Sequence, residues 1–171
     1  EQNPYPRWVR PPLCAECLTV DSFIHQQLPY SVFEPIGKAG DLEVLVAGCG
    51  TGYHQIQTAQ LIKGTHVLAI DLSLTSLCYA KRKTRELGLE NIEFAQAYIL
   101  QMNTVGRIFD VTESVGVLHH MTDPMAGLKI LVSLLKPKGF MLLGLYSELG
   151  RQDVTAARRM IAKREYRPNL D

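Results

Sequence analysis

The run Val44-Leu45-Val46-Ala47-Gly48-Cys49-Gly50-Thr51-Gly52, with Asp71 closing the next apolar stretch, limits the folds open to this chain more than any other segment. Four apolar residues in succession suit a strand buried on both faces. Three glycines at alternate positions let the backbone turn sharply and approach a ligand more closely than a side chain would allow. Asp71 follows the loop at about the twenty-residue separation at which a doubly wound sheet sets the end of its second strand beside the end of its first. A carboxylate there can accept both hydroxyl protons of a ribose. The glycine spacing also separates classes of nucleotide. A dinucleotide loop needs glycine where Tyr53 stands, whereas here the third glycine, Gly52, comes one residue early, which disfavours NAD.

From residue 41 onward, short apolar runs alternate with helical patterns. Strands are expected over about residues 44–47, 66–70, 92–95, 110–113 and 140–145, and helices over about 53–62, 74–87, 124–135 and 153–165. Ser73 and Asp123 read as helix N-caps, the latter followed by Pro124 at the first helical position, and Gly88 as a helix stop. This alternation predicts an α/β fold, a Rossmann-like doubly wound and mostly parallel sheet. Right-handed crossovers would bring Gly50, Asp71, Ala97 and Ser114 to one edge of it. Residues 1–40, with two proline clusters and a short amphipathic piece near 20–27, read as an N-terminal arm on a domain spanning 41–171.

At 171 residues the chain has the size of one domain, able to bury about 70% of its unfolded surface. A net charge of +1 gives no broad attraction for nucleic acid, and no apolar run reaches membrane-span length, so neither partner is expected. The polar, proline-rich start does not read as a signal peptide, which points to the cytoplasm. Cys14 and Cys17 have the spacing of half a zinc site, but Cys49 and Cys78 do not supply a second half. No metal is therefore expected.

These residues resemble the class I S-adenosylmethionine-dependent methyltransferases. The first motif of that family reads much like Ala47-Gly48-Cys49-Gly50-Thr51-Gly52, Ile70-Asp71-Leu72-Ser73 matches the second, and Phe109-Asp110-Val111 the fourth. The run Leu134-Leu135-Lys136-Pro137-Lys138-Gly139-Phe140 matches the turn into the fifth strand. The resemblance implies S-adenosylmethionine as cofactor and S-adenosylhomocysteine as product. It sets Gly48, Gly50 and Gly52 against the methionine portion, Asp71 on the ribose and Leu72 beside the adenine, with Cys49 and Thr51 of the loop and Ala97, Tyr98 and Ile99 after the third strand as further cofactor contacts. Ser114, at the end of the fourth strand, belongs to the same set. Two positions depart from the pattern: Val46 stands where the family often has an acid, and Tyr98 where it commonly has an aspartate.

The chain also resembles a set of bacterial methyltransferase domains, some joined to tetratricopeptide repeats, in the runs Gly116-Val117-Leu118-His119-His120 and Gly144-Leu145-Tyr146-Ser147-Glu148. By that resemblance the segment after the fourth strand lines the acceptor side. His119 is the candidate general base, and Tyr5, Trp8 and Tyr146 are candidate substrate contacts. His25, His54 and His66 receive no role. The family's last two strands find no room after the fifth strand, so the expected outcomes are three: an open sheet edge, a homodimer that covers that edge, or a chain that is a fragment of a longer protein. Methyl transfer to an unidentified small-molecule or protein acceptor is the function implied. A binding or assembly module of the same fold that has lost catalysis, and an NAD(P)-dependent oxidoreductase, stay open as alternatives.

Overall fold

The computed structural model describes residues 4, 6–10, 16–36, 41–147 and 149–164. Five strands, β1 (Leu42–Ala47), β2 (Thr65–Asp71), β3 (Ile92–Gln96), β4 (Phe109–Val115) and β5 (Leu135–Gly144), form one sheet in the order β3-β2-β1-β4-β5. Every pairing is parallel. Around it lie α1 (Val20–Gln27), α2 (Tyr53–Leu61), α3 (Leu74–Glu86), α4 (Pro124–Ser133) and α5 (Gln152–Lys163), with 3-10 turns at Ile99–Thr104, Leu118–His120 and Leu149–Arg151. The strand order reverses between β1 and β4. At that switch point the loops leaving adjacent strands diverge and open a crevice at the carboxyl ends.

Side chains of a strand alternate between faces, and β1 shows the result. Val44 and Val46 join one core with Val67, Ala69, Val111, Leu77 and Ala59, while Leu45 and Ala47 join a second with Leu68, Ile70, Phe109, Leu131 and Leu134. The stretch before residue 41 contributes to the first core through Val20, Ile24 and Ile36. It is tied on by a parallel bridge, Leu18 N–H donating to Leu61 C=O at 2.7 Å and Lys63 N–H to Leu18 C=O at 2.8 Å. At the end of the sheet away from the crevice, Asp110 accepts from the Glu43 amide at 2.9 Å and from Lys136 Nζ at 2.8 Å. This single carboxylate clamps β4 to both of its neighbours.

Both expected caps form. Ser73 Oγ accepts from the Ser76 amide at 3.2 Å, and Asp123 Oδ1 from the Ala126 amide at 2.9 Å. One boundary differs by several residues: β5 starts at Leu135, because Phe109 already pairs with Leu135 before a register shift, so the Lys136–Gly139 turn lies inside the strand. Among the described residues no strand follows β5, and Leu142, Leu143 and Leu145 on or just past it are exposed. No helix among the described residues is long and apolar enough to cross a membrane.

Candidate functional site

A cavity of about 720 Å³ opens at the carboxyl ends of the strands, within the range that holds a nucleotide-sized ligand. Its floor is the glycine loop. Gly48, Gly50 and Gly52 all take positive φ, at 81°, 53° and 98°, so the chain folds back on itself between β1 and α2. The amides of Gly48 and Cys49 both donate to the Ile70 carbonyl, at 2.8 and 2.9 Å, which ties the loop to the end of β2.

Asp71 projects from that end. Its Oδ2 accepts from the Gly50 amide and its Oδ1 from the Ser73 amide, each at 2.8 Å. An ionised carboxylate has about four acceptor sites, so two backbone bonds fix its orientation and still leave capacity for two hydroxyl donors. Beyond Asp71, toward β3, the wall is formed by Leu72, Ala97, Tyr98 and Ile99. Leu72 is 61% exposed, a large apolar surface facing solvent beside the cavity. Toward β4 and β5 the wall passes through Val46, His54, Val115, Gly116 and Val117 to His120, Met121 and Tyr146.

Pro6 covers part of the loop. The Thr51 hydroxyl donates to the Pro6 carbonyl at 2.7 Å, Trp8 Nε1–H to the Thr51 carbonyl at 3.1 Å, and the Tyr79 hydroxyl to the Trp8 carbonyl at 2.6 Å. The Trp8 ring meets Tyr53 and Tyr79 edge-on, at centroid separations of 5.6 and 6.1 Å. Trp8, a candidate substrate contact, thus straps the glycine loop to α2 and α3 and is absent from the cavity lining. Tyr5 lies outside the described residues.

Two further candidates, Ser114 and His119, are also absent from the cavity lining. Ser114 is fully buried with its hydroxyl unpartnered and does not line the cavity. Strand alternation turns it to the face opposite Glu113 and Val115, and Val115 with Gly116 takes its place in the wall. Of the two neighbouring histidines, His120 lines the cavity and His119, the candidate base, does not. His119 stacks on Tyr146 at 3.9 Å between centroids, and its Nε2 is 3.1 Å from His120 Nε2. Burial, with His120 and Arg151 nearby, pushes the His119 imidazole below its ordinary value. Tyr146 does line the cavity, held between His119 and the Arg151 guanidinium, which lies 3.9 Å from its ring centroid.

The pair that sequence reasoning missed is His54 with Glu113. Glu113 is 2% exposed, yet its Oε2 lies 3.0 Å from His54 Nε2 and 3.2 Å from the Thr58 hydroxyl. Contact with the Glu113 carboxylate raises the His54 imidazole above its ordinary value, with burial opposing. Cys49, by contrast, is a buried thiol. Burial and the Asp71 charge push it far above the ordinary range. Cys17 donates to the Gln60 carbonyl at 3.3 Å, and Cys14 lies outside the described residues. Among the described residues no group of three or more His, Cys, Asp or Glu could hold a metal ion.

A sheet of this order with a glycine loop after β1 and a carboxylate after β2 agrees with a family model described as a methyltransferase domain, which matches residues 38–167. The chain belongs to the methyltransferase domain family. This methyltransferase domain is 35% identical over 126 residues to an uncharacterized protein of Synechococcus sp., covering 73% of this chain and 30% of that protein. It is 32% identical over 112 residues to a ubiquinone biosynthesis O-methyltransferase of Leptothrix cholodnii, covering 64% of this chain and 46% of the relative. The chain therefore spans less than half the length of either relative. Among solved structures, the domain superposes on PKMT2 of Rickettsia typhi in complex with S-adenosylhomocysteine with a TM-score of 0.62 at 24% identity, covering 71% of this chain and 24% of that one. That likeness is one of fold.

Proposed function

We propose that this domain is an S-adenosylmethionine-dependent methyltransferase acting on a small-molecule or protein acceptor. The observation that carries the reading is the Asp71 carboxylate, oriented by the Gly50 and Ser73 amides beside the cavity and retaining acceptor capacity for a ribose. Two more features fit that cofactor. A Cβ added at Gly50 would meet nothing within 4 Å, so the loop leaves open space where a ligand could approach backbone. The cavity is apolar beyond Asp71, at Leu72 and Ile99, and polar on the other side, at His54 and His120.

When bound, the cofactor would supply a methyl group on a positively charged sulfur, which keeps the electron pair of the broken bond when an acceptor takes the methyl. The chain's own contribution is alignment and proton removal. Asp71 would hold the ribose, and the apolar groups Leu72, Tyr98 and Ile99 the adenine. That orientation sends the reactive end of the ligand toward β4 and β5. There Tyr146, fixed between His119 and Arg151, would pack against the acceptor, and His120, the histidine that lines the cavity, would take its proton. The name of the Leptothrix relative favours an oxygen acceptor.

Titration calorimetry with S-adenosylmethionine, S-adenosylhomocysteine and NAD tests the reading without an acceptor. Micromolar binding of the first two alone is expected. Binding of none would replace the proposal by a module that has lost the cofactor, and binding of NAD would replace it by an oxidoreductase.

A further inference from the structure

Glu113 is a carboxylate enclosed in the core beneath α2, and a buried charge is retained only at a cost unless it is paired. In the parallel register Val46 stands opposite Glu113, and directly paired residues on parallel strands share a face. Val46 occupies the position where the resemblance leads one to expect an acid. Glu113 therefore puts a carboxylate on that face, one strand across the sheet from Val46. It does not reach the cavity itself, because His54 is interposed, with its Nε2 buried 3.0 Å from Glu113 Oε2.

The His54 side chain is 40% exposed and belongs to the cavity wall between Val46 and Val115. With Nε2 enclosed, the exposure falls on the rest of the ring. The order of groups along the cavity decides what this edge would meet. Asp71 sits after β2, and the apolar wall of Leu72, Tyr98 and Ile99 lies to its β3 side. A nucleoside with its ribose at Asp71 and its base on that wall must extend its 5′ substituent the other way, across the glycine loop toward β4. His54 is a cation-forming group at that far end, backed by an anion that itself cannot touch the ligand.

We propose that His54, backed by the buried Glu113 carboxylate, receives the α-carboxylate of the cofactor's amino-acid tail. The inference rests on the S-adenosylmethionine reading and assigns the recognition of its amino-acid end. Glu113 acts through His54 and is a positioning residue. A charge-assisted hydrogen bond of this kind, partly open to solvent, is worth about a tenfold change in affinity.

Calorimetry with two ligands separates this role from a structural one. S-adenosylhomocysteine carries the tail, and 5′-methylthioadenosine presents the same adenosine and thioether without it. His54→Gln is expected to weaken S-adenosylhomocysteine about tenfold and to leave 5′-methylthioadenosine unchanged. Glu113→Gln, which keeps the side chain's shape, is expected to move the affinities in the same pattern to a smaller extent. Equal weakening of both ligands by His54→Gln would overturn the assignment in favour of a structural histidine, and no weakening of either would overturn it outright. A wild-type protein that binds 5′-methylthioadenosine but gains nothing from the tail would refute this inference alone. One that binds neither ligand would refute the cofactor reading on which it rests.

Discussion

The glycine loop can be tested at two positions that share a backbone geometry and differ in their surroundings. Gly50 and Gly52 both lie in the left-handed region, so alanine at either should cost about 1–2 kcal/mol from backbone alone. Their neighbours then separate them. At Gly50 an added Cβ meets nothing within 4 Å, whereas at Gly52 it would stand 2.7 Å from Ala80 Cβ and 3.0 Å from Ala80 Cα on α3. The second contact is with helix backbone, which cannot rotate away, and overpacking adds about 1–3 kcal/mol more. Gly52→Ala is therefore expected to lose about 2–5 kcal/mol in urea unfolding monitored by circular dichroism, and Gly50→Ala about 1–2 kcal/mol. The order reverses in usefulness for binding, because Gly50→Ala should remain folded while its methyl group enters the space left for a ligand. Equal destabilisation by the two substitutions would refute the packing argument, and full S-adenosylhomocysteine affinity in Gly50→Ala would refute the close backbone approach.

Other expectations follow from single contacts. Trp8→Ala removes the bond to the Thr51 carbonyl and two edge-on ring contacts; a loss of about 2 kcal/mol is expected, with faster hydrogen exchange at the loop amides of 50–53, and unchanged exchange there would show that the strap does not hold the loop. The raised His54 imidazole contributes stability that is complete below its ordinary value of 6.5 and is lost as pH rises through the raised one. The stability difference between wild type and Glu113→Gln should accordingly shrink as pH rises above 6.5 and through the raised value, and a difference that grows with pH would contradict the ion pair. Cys49, enclosed and facing the Asp71 charge, should alkylate far more slowly at pH about 8 than the exposed Cys17 and Cys78. Mass spectrometry of peptides from a timed reaction would show this, and a Cys49 rate matching the exposed thiols would refute it.

The parts of this fold that were legible in the sequence are those written in short-range chemistry. The β1 loop and Asp71 declare themselves through glycine spacing and an apolar run, and the caps at Ser73 and Asp123 through side chains that bond three residues ahead. The failures lie where a face or a register decides. Ser114 and Val115 are neighbours in the chain, but the pleat sends the first into the core and the second to the cavity, and the strand's end could not be placed to one residue from pattern alone. His119 and His120 divide for the same reason on a single turn of 3-10 helix. The early start of β5 was hidden by Pro137 and Gly139, which read as a turn before the strand and are in fact a bend within it. Nothing local links His54 to Glu113, because their meeting depends on side chains of α2 reaching across to β4. The one signal was an isolated histidine on the first turn after the glycine loop.

The central claim is that Asp71 and the glycine loop hold S-adenosylmethionine at the β1/β4 switch point. A crystal structure of the domain grown with S-adenosylhomocysteine tests it most directly. The account predicts both ribose hydroxyls within hydrogen-bond distance of the Asp71 carboxylate, the adenine against Leu72 and Tyr98, and the homocysteine tail running past Gly50 toward His54. A nucleoside seated elsewhere, or an Asp71 still bonded only to the Gly50 and Ser73 amides beside a bound ligand, would contradict it.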